Sequence, residues 1–420
     1  MTTLYDLFAA HPAVTTDSRN IAPGSLFFAL RGASFDGNRF AADALDRGAS
    51  FAVVDDPSVA ASRPDLRDRL VVVEDALAAL QELAREHRRR LGIPILGVVG
   101  SNGKTTTKEL VSRVLAERFR VHATRGNLNN HIGVPLTLLS MTRDTEFGVV
   151  EMGASACGEI ALLCSVAQPD YGIITNIGRS HLEGFGGPEG IRRGKGELYD
   201  YLAAHGGRAF VREEDAVLTA MAAERPGLRL ERYPTALADG VESRLEGEYN
   251  QMNIAAALAI GRSFGVARPQ LERAVASYDP DNHRSQRTET ARNTLIVDCY
   301  NANPSSMSAS VDHVLHMPLG GRERRLLILG DMLELGVWSR GEHLKILRQA
   351  LSGRADVWLV GPHFADAFAA LEPSAERPPV RLFATRAELE AELSRRPVVN
   401  ALVLLKGSHG IGLEHCIGRF

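Results

Sequence analysis

The segment of the chain best suited to chemistry is ILGVVGSNGKTTTKEL, residues 95–110, in which glycines precede a lysine and three threonines. Glycines let backbone N–H groups approach phosphate oxygens, and the dipole of a following helix favours bound anions. Lys104 is suited to neutralise charge on the β- and γ-phosphates of a nucleotide, and the Thr105 hydroxyl is suited to bind Mg²⁺. We therefore interpret residues 97–106 as the phosphate-binding loop of an ATP-using enzyme.

This loop departs by one position from the usual GxxxxGK[ST] pattern. The residue five places before Gly103 is Val98, so either Gly97 or Gly100 must make the turn. A chance glycine-rich turn is the alternative interpretation. The joint occurrence of an apolar run, a lysine, a hydroxyl cluster and a helix pattern favours phosphate binding.

Two further side chains follow apolar runs, at positions where a parallel sheet presents ligand-binding groups. Glu151 ends the run FGVVE, and His181 follows YGIITNIG in the loop GRSHLEG. Both are candidate ligands of Mg²⁺, but from the pattern alone Glu151 could equally cap a helix and His181 could be a solvated loop residue. Lys195, in GKGEL, is more ambiguous, because an isolated lysine is usually a surface charge.

Short apolar runs recur along the chain, and each is followed by glycine or a polar turn and then by a helix-like stretch. This order is typical of parallel α/β units. After the loop, apolar residues recur at three- and four-residue spacing, which predicts a helix over residues 104–119. The runs are ILGVVG, FGVVEMG, YGIITNIG, TLIVDCY, LLILGD, VWLVG and ALVLLKG.

The pattern predicts three α/β domains, in keeping with a length of 420 residues. Residues 1–78 contain shorter patterned pieces separated by turns and are expected to form a small mixed α/β domain. Residues 79–284 hold the phosphate-binding loop in a mostly parallel sheet. The segment YDPDNHRSQR interrupts the apolar pattern before residues 285–420, the expected C-terminal α/β domain.

Composition limits the classes of partner. With 48 lysines and arginines against 51 acidic residues the net charge is −3, so we expect neither a nucleic acid nor a membrane partner. No basic and apolar leader and no long apolar run occurs, and we expect a cytoplasmic protein, taken to be a monomer. The cysteines lack zinc or disulfide spacing and are predicted to be buried thiols. They are Cys157, Cys164, Cys299 and Cys416.

Motifs along nearly the whole chain resemble those of the Mur ligases, the ATP-dependent amide ligases of peptidoglycan precursor synthesis. Besides the loop, the motifs are GNLNNHIGVPLTLL, EMG, HLEGFG, GKGEL, YNQMNIAAALA, DCYNANPSSM, LGDMLELG and LLKGSHG. The resemblance implies a UDP-sugar-binding N-terminal domain, a central P-loop ATPase domain and a Rossmann-like C-terminal domain. It also implies ATP and Mg²⁺ as cofactors.

The resemblance implies roles for the central residues at matching positions. Lys195 matches a lysine that family members carry as a carbamate, and together with Lys104, Glu151 and His181 it would be catalytic. The asparagines of YNQMN match residues near adenine, although an asparagine at a helix start can simply be a cap. The implied phosphate-binding residues are Gly100, Ser101, Asn102, Gly103, Lys104, Thr105 and Thr106; the metal-binding residues are Thr105, Glu151, His181 and Lys195; the other nucleotide contacts are Asn250, Asn253, Arg284 and Asp298.

Substrate-binding positions are implied in the same way. The DSR motif, Asp17 to Arg19, matches the UDP-sugar site, although by itself it reads as an Asx-turn with a surface arginine. Further positions would contact the incoming peptide and, on the C-terminal domain, an acceptor dipeptide. The full set is Asp17, Ser18, Arg19, Thr124, Asn127, Asn129 and Asn130, followed by Asn301, Asn303, Asp331, Lys406 and Ser408.

Within the family, the combination of GNLNNHIGVPLT, YNANP and LGDMLELG resembles the members that add a dipeptide. It implies that D-alanyl-D-alanine is joined to UDP-N-acetylmuramoyl-tripeptide through an acyl phosphate. A ligase that adds a single amino acid, or a folate-polyglutamylating enzyme, is the nearest alternative. A nucleotide-switched binding module is the alternative from another class.

Overall fold

Three parallel or nearly parallel sheets, each covered by helices, make up the protein. The structure is a computed structural model that describes residues 3–279, 286–372 and 378–420. Arg284 therefore lies outside the described residues. The sheets follow one another along the chain, and the α/β class predicted from the apolar runs is confirmed.

The N-terminal sheet contains four short strands in the order β1-β2-β3-β4, all parallel. Alternate residues of these strands meet helices on one face and the central part of the chain on the other. The strands are β1 Val14–Thr15, β2 Leu26–Phe28, β3 Phe51–Val54 and β4 Leu70–Val72; the helices are α1 Leu4–Ala10, α2 Ala41–Asp46 and α3 Pro57–Ser62.

The next helix, α4 (Ala76–Leu91), joins this sheet to the central one. Asp75 caps its start by accepting from the Ala78 N–H, and its buried face, which includes Leu80 and Leu83, belongs to a core shared by both sheets. The expected boundary after residue 78 falls within this helix. The division of the chain at that point remains a prediction.

The central sheet has six parallel strands in the order β10-β9-β8-β5-β7-β6. Its middle strand, with the sequence ILGVV, is buried along its whole length, as expected for a strand covered on both faces. The elements are β5 Ile95–Val99, α5 Lys104–Ala116, β6 Val121–Ala123, α6 Gly133–Leu139, β7 Phe147–Glu151, α7 Glu159–Ala167, β8 Tyr171–Ile174, α8 Leu182–Phe185, α9 Pro188–Ala204, β9 Arg208–Arg212, α10 Ala216–Ala223, β10 Arg229–Tyr233, α11 Glu248–Ser263 and α12 Arg268–Ala276.

The C-terminal sheet has the order β11-β12-β16-β13-β14-β15, and only its edge strand β11 runs antiparallel. Leu182 and Phe185 of α8 share a hydrophobic core with residues of this unit, so the central and C-terminal units are in contact. The elements are β11 Gln286–Glu289, β12 Thr294–Val297, α13 Pro304–His316, β13 Arg324–Gly330, α14 Ser339–Leu351, β14 Asp356–Val360, α15 Pro362–Ala369, β15 Val380–Phe383, α16 Arg386–Arg395 and β16 Ala401–Lys406.

The cysteines are free thiols, and the prediction that they are buried is correct for three of them. It is wrong for Cys157, which lies at the surface in the turn before α7 and is exposed, although its thiol donates to the Gly190 carbonyl at 3.3 Å. Among the described residues, no helix combines the length and the apolar character required to cross a lipid bilayer.

Candidate active site

The loop between β5 and α5 lies at the carboxyl edge of the central sheet. Gly100 has φ 149° and Gly103 has φ 76°, a region that favours glycine. A Cβ atom at Gly100 would lie 1.9 Å from Oγ1 of Thr175, so no other residue fits there. Gly97, by contrast, lies inside β5, and Gly100 is the glycine that makes the turn.

Residues at the end of the neighbouring strand β8 hold the loop in place. The Asn176 carbonyl accepts from the Ser101 N–H at 3.0 Å, and its side chain accepts from the Asn102 N–H at 3.1 Å and donates to the Asn102 carbonyl at 2.9 Å. The Thr175 hydroxyl donates to the same carbonyl at 2.6 Å. Sequence reasoning did not identify these two residues, although their place in TNIG, directly after a strand run, was the available signal.

Lys104, the first residue of α5, is folded back over the loop. Its ammonium group donates to the carbonyl oxygens of Gly100 at 2.9 Å and Ser101 at 3.4 Å. A cation is thereby held beside the helix N-terminus, where anions are already favoured.

A buried carboxylate lies beside the loop. Glu151, at the end of β7, is 1% exposed; its Oε1 accepts from the Thr105 hydroxyl at 3.2 Å and from Nδ2 of Asn129 at 2.8 Å. Its Oε2 has no hydrogen-bond partner among the described residues although it too is buried. A buried carboxylate oxygen without a donor is costly, and a hard cation such as Mg²⁺ would satisfy it.

His181 faces the C-terminal unit. Its Nδ1 lies 2.5 Å from Oε2 of Glu334, and its backbone has a φ of 52°, which is uncommon for a residue with a side chain. Burial lowers the pKa of the imidazole; Glu334 opposes this shift, whereas Lys104 and Lys195 add to it. The ring is therefore disposed to stay neutral, the form that binds metals.

Lys195 is not the surface charge that an isolated lysine usually is. It lies in α9, is 1% exposed, and its Nζ is 5.0 Å from the centre of the Phe185 ring. The pKa of its amine is lowered to about 7: burial is the largest cause, the nearby Lys104 adds to the shift, and Glu159 and Glu197 oppose it. Near neutral pH a large share of this amine is unprotonated and nucleophilic.

The described part of the chain contains no cluster of three or more histidine, cysteine, aspartate or glutamate side chains suited to a metal. A metal held here would instead draw on the Thr105 hydroxyl, the Glu151 carboxylate and His181. Two of these three donors are oxygens, and the orphaned Oε2 of Glu151 provides the anionic one. This donor chemistry fits Mg²⁺, which completes its shell with water and phosphate oxygens.

Helix α11 closes another side of the loop. Asn253 accepts from the Thr107 hydroxyl at 3.1 Å and donates to the Asn250 side chain at 2.9 Å, and both asparagines are buried. The residue that begins this helix is Glu248, preceded by Gly247, so neither asparagine is the helix cap. The simple capping interpretation of YNQMN is thus wrong, because both residues lie inside the first turns.

The C-terminal unit reaches the loop through the segment before α13. Asn303 caps this helix by accepting from the Ser306 N–H, and its Nδ2 donates to Oδ1 of Asn102 at 2.7 Å. Behind it, Nζ of Lys406 lies 2.5 Å from Oδ2 of Asp298. This contact between Asn303 and Asn102 places the two units on either side of one cleft.

Two adjoining cavities occupy the cleft. The larger, of about 1000 Å³, lies against the loop, and the smaller, of about 690 Å³, lies beneath the C-terminal loops around Leu333 and His409. Thr105 and His181 line both and form part of the wall between them. The predicted residues that line the larger cavity are Ser101, Asn102, Gly103, Lys104, Thr105, Thr106, Asn127, Asn129, Asn130, Glu151, His181, Asn250, Asn253, Asp298, Asn301, Asn303 and Lys406.

Some predicted residues line neither cavity. Thr124 is buried, and its hydroxyl accepts from the Glu151 N–H at 3.0 Å. Asp331 accepts from the N–H groups of His363 and Phe364 and so caps α15. Gly100 and Lys195 also line neither cavity, whereas Ser408 lines only the smaller one.

The DSR motif lies apart from both cavities on the N-terminal unit. Asp17 accepts from the Arg19 backbone N–H at 3.0 Å, and its two oxygens each accept from the Arg19 guanidinium at 2.9 Å. This pair lowers the pKa of the Asp17 carboxyl to about 2. The Ser18 carbonyl accepts from Arg47 at 2.5 Å.

Lys108 is a site residue that sequence reasoning missed. Its side chain is 1% exposed, borders the smaller cavity, and donates to the Thr124 carbonyl at 2.7 Å and to Glu109. The chain contains only five lysines, and four of them are at or beside the cleft. The scarcity of lysine in an arginine-rich chain was the signal that could have found it.

Comparison with known proteins gives consistent matches. Family models match residues 12–88 (Mur ligase family, catalytic domain), 98–235 (Mur ligase middle domain) and 283–409 (Mur ligase, glutamate ligase domain). The chain is 34% identical to the UDP-N-acetylmuramoyl-tripeptide–D-alanyl-D-alanine ligase of Bacillus subtilis and 31% identical to that of Escherichia coli, over 96% of this chain and 92% of each relative.

Solved structures agree. A crystal structure of MurF from Acinetobacter baumannii superposes with a TM-score of 0.84 at 27% identity, covering 98% of this chain and 97% of that one. MurF ligase from Thermotoga maritima in complex with ADP superposes with a TM-score of 0.83 at 25% identity, covering 99% and 98%. This chain belongs to the Mur ligase family.

Proposed function

We propose that the protein is an ATP-dependent amide ligase that joins D-alanyl-D-alanine to UDP-N-acetylmuramoyl-tripeptide and releases ADP and phosphate. The observation that carries the proposal is the cavity in which the phosphate-binding loop, the buried Glu151 carboxylate and the C-terminal unit meet. The relatives named for this activity match the chain over nearly their whole lengths, which supports it.

The nucleotide would lie with its phosphates against residues 100–106. The glycine turn exposes the start of α5, and Lys104 adds a positive charge beside it. We assign the base end to Asn250 and Asn253, the ribose to Asp298, and, from the resemblance alone, a further phosphate contact to Arg284. These assignments are supported by the position of the two asparagines and Asp298 in the same cavity.

We assign the metal site to Thr105, Glu151 and His181. Bound Mg²⁺ would neutralise the charge that develops on the transferring phosphoryl group. The protein's part is to hold the donors in place: Asn129 and Thr105 fix one oxygen of Glu151, and Thr124 holds its backbone. Thr124 then acts through Glu151 and not by touching the peptide.

Lys195 is proposed to react with CO₂ to form a carbamate. The unprotonated amine attacks the carbon of CO₂, a new N–C bond forms, and one proton is released to solvent. The product is an anion that would complete the metal site from the side of α9. The lowered pKa of this buried amine supports the reaction, because a protonated amine has no lone pair.

The chemistry follows from the poor leaving-group ability of a carboxylate oxygen. An oxygen of the tripeptide carboxylate attacks the γ-phosphorus, the bond to the β–γ bridging oxygen breaks, and ADP leaves as the acyl phosphate forms. The free amine of the dipeptide then attacks the acyl carbon, nitrogen loses a proton, and phosphate leaves with the bonding electrons. Lys104 stabilises the charge on the phosphoryl oxygens in the first step.

The two remaining substrates are assigned to the flanks of the cavity. The UDP group would lie on the N-terminal unit at Asp17, Ser18 and Arg19, and the peptide would pass Asn127, Asn129 and Asn130. The dipeptide would enter through the smaller cavity, past Asn301 and Ser408, and reach Asn303 and Lys406 in the larger one. This arrangement would bring the acceptor amine to the acyl phosphate where the two cavities adjoin, beside Thr105 and His181.

The test is a product assay on the purified protein. With ATP, Mg²⁺, UDP-N-acetylmuramoyl-tripeptide and D-alanyl-D-alanine, we expect mass spectrometry to detect the pentapeptide product and ADP release to require the dipeptide. A panel with D-alanine, L-alanine and glutamate as acceptors serves as the control. Product from a single amino acid but not from the dipeptide would contradict the proposal and favour another ligase of the family.

We also propose a monomer that acts in the cytoplasm, where ATP and the UDP-linked precursor are found, with domains at residues 1–78, 79–284 and 285–420. All three substrate positions above lie on one chain, so the proposed reaction needs no second subunit. Light scattering of the protein at assay concentration measures the mass that decides this point.

A further inference from the structure

Leu333 is an apolar side chain that the core of the C-terminal unit does not use. It lies in the segment between β13 and α14, where Met332 and Leu335 are each 1% exposed and belong to the core. Leu333 is 40% exposed and lines the smaller cavity. A single exposed leucine means little by itself, so its surroundings decide whether it can contact a substrate.

The backbone of Leu333 is held in place by Ser408, on the loop after β16. The Leu333 N–H donates to Oγ of Ser408 at 2.9 Å, and the Ser408 N–H donates to the Asp331 carbonyl at 3.1 Å. Oγ of Ser408 in turn donates to the Ala302 carbonyl at 3.3 Å. Because Ser408 is assigned above to the dipeptide, Leu333 lies beside the proposed acceptor site.

Gly410 lies against the Leu333 side chain. A Cβ atom at position 410 would lie 3.0 Å from Cδ1 of Leu333, closer than ordinary van der Waals contact. Outside its own turn, no other heavy atom of the described residues lies within 4 Å of that position. Gly410 is not among the residues with positive φ, so alanine suits its backbone. A methyl group added there would therefore displace the tip of Leu333.

The rest of the smaller cavity is polar. Apart from Leu333, the described residues that line it are glycines or carry charged, hydroxyl, amide, imidazole or phenol groups. A dipeptide of alanine has an ammonium group, an amide and a carboxylate, which suit polar walls, and two methyl groups, which do not. Leu333 is thus the apolar contact that this cavity offers to one of those methyl groups.

The direction in which the dipeptide must lie selects the methyl group. Its amine has to reach the acyl phosphate where the two cavities adjoin, beside Thr105 and His181. An extended dipeptide is about 7 Å long, so its C-terminal residue remains in the smaller cavity. Leu333, Ser408 and Gly410 line this cavity and not the larger one. The methyl group of the C-terminal residue is therefore the one nearer Leu333.

We propose that Leu333 is a specificity-determining residue, which contacts the side chain of the C-terminal residue of the acceptor dipeptide and, packed against Gly410, favours a small side chain there. The inference rests on the proposed function, because it takes the dipeptide as the acceptor. One methylene group in an apolar pocket changes kcat/KM by about 10- to 200-fold. Truncation of Leu333 should therefore change which dipeptide is preferred, and not only the rate.

Two enlarged acceptors test the proposal. D-alanyl-D-2-aminobutyrate is one methylene group larger than D-alanyl-D-alanine at the C-terminal residue, and D-2-aminobutyryl-D-alanine is larger by the same group at the amine end. For each we measure kcat/KM from acceptor-dependent ADP release and divide it by the value for D-alanyl-D-alanine. Because both values come from one preparation of enzyme, any inactive fraction cancels in this preference ratio.

We expect Leu333→Ala to raise the preference ratio of D-alanyl-D-2-aminobutyrate about tenfold and to leave that of D-2-aminobutyryl-D-alanine within twofold. Gly410→Ala is expected to lower the first ratio about threefold, less than a whole methylene group would. The double variant should show no effect of the Gly410 change, because residues in contact do not act independently. Val337→Ala is the matched control: this side chain is 89% exposed in the same segment, lines neither cavity, and should leave both ratios unchanged.

A Leu333→Ala ratio within twofold of the unmutated value would overturn the proposal. An equal rise for the dipeptide enlarged at its amine end would do so too, because Leu333 would then not contact the C-terminal residue. If Leu333→Ala yields no folded protein, Gly410→Ala decides, and an unchanged ratio in that variant rejects the inference. Failure of the unmutated protein to form the pentapeptide would contradict the proposed function itself, whereas product formation with unchanged ratios would contradict only the role of Leu333.

Discussion

The loop site and the DSR motif hold their polar side chains in opposite settings. Around the loop, Glu151 and Asn253 are buried, and their partners come from elements far away in the sequence. In the DSR motif the Arg19 side chain is 88% exposed and pairs with Asp17, two residues away. The loop site is made by the tertiary fold, whereas the DSR pair needs only a local turn.

This difference has an energetic consequence. A buried group that loses its partner costs about 1–3 kcal/mol, whereas an exposed ion pair contributes about 0–1 kcal/mol. Substitutions around the loop should therefore affect stability and chemistry together. Substitutions in the DSR motif should affect binding of one substrate and little else.

The largest effect is expected for Lys104→Ala. Loss of the charge beside the phosphates should lower kcat about 100- to 1000-fold, as loss of a group that stabilises transition-state charge commonly does. Dipeptide-dependent ADP release measures it. Lys345→Ala, the same change at the exposed lysine of α14, is the control and should retain the unmutated rate.

A Lys104→Ala variant that kept dipeptide-dependent ADP release near the unmutated rate would contradict the proposed role. The buried residues around the loop would then contribute to stability only, and the loop site would not differ from the DSR motif in chemical function. Glu151→Ala provides the second measurement, since it removes the anionic metal donor without changing any residue of the loop.

The loop was predictable because its chemistry is contiguous: Gly100 to Thr106 occupy one turn and the start of one helix. The clamp formed by Thr175 and Asn176 was not, because its hydrogen bonds join residues 73 and 74 positions apart. Such pairs depend on which strands are neighbours. The order β8-β5-β7 puts the ends of three strands together, but the apolar runs do not reveal it.

Contacts between elements distant in the sequence also explain why the burial of Lys195 and the capping role of Asp331 were not predicted. Periodicity places Lys195 in a helix but does not reveal that α8 covers it with Phe185. Asp331 follows an apolar strand like a ligand-binding residue, yet α15 starts directly above it and takes both carboxylate oxygens. The ends of strands indicate where polar residues lie close together, and the packing of neighbouring helices determines which of these residues can still bind a ligand.

Lys195→Met is expected to stabilise the protein while removing activity. The folded pKa of about 7 lies below the ordinary value of 10.5, so the unfolded chain binds more protons between these values. The cost of burying this amine is therefore full below pH 7 and fades as the pH rises toward 10.5. Because one pKa unit corresponds to about 1.4 kcal/mol, the variant should gain several kcal/mol at pH 6.5 and much less at pH 9.

Urea unfolding at these two pH values, in buffer purged of CO₂, measures the gain. Adding bicarbonate should narrow it, because the carbamate forms only on the folded protein and stabilises that state. A gain in the free energy of unfolding that is the same at both pH values would show that the folded protein does not lower the pKa of the Lys195 amine. Leu198→Met, a buried change in the same helix, controls for repacking.

The smallest effect is expected for Arg19→Ala. Loss of one charged hydrogen bond should raise KM for the UDP-linked substrate about tenfold, leave kcat unchanged, and alter the free energy of unfolding by less than about 1 kcal/mol. Arg63→Ala is a close control, because Arg63 pairs with Asp65 two residues away in the same two-bond geometry. Steady-state kinetics of both variants separates substrate recognition from local structure. If both variants raised KM for the UDP-linked substrate equally, or if neither did, the DSR motif would be an ordinary surface turn. The UDP site would then have to lie elsewhere on the N-terminal unit.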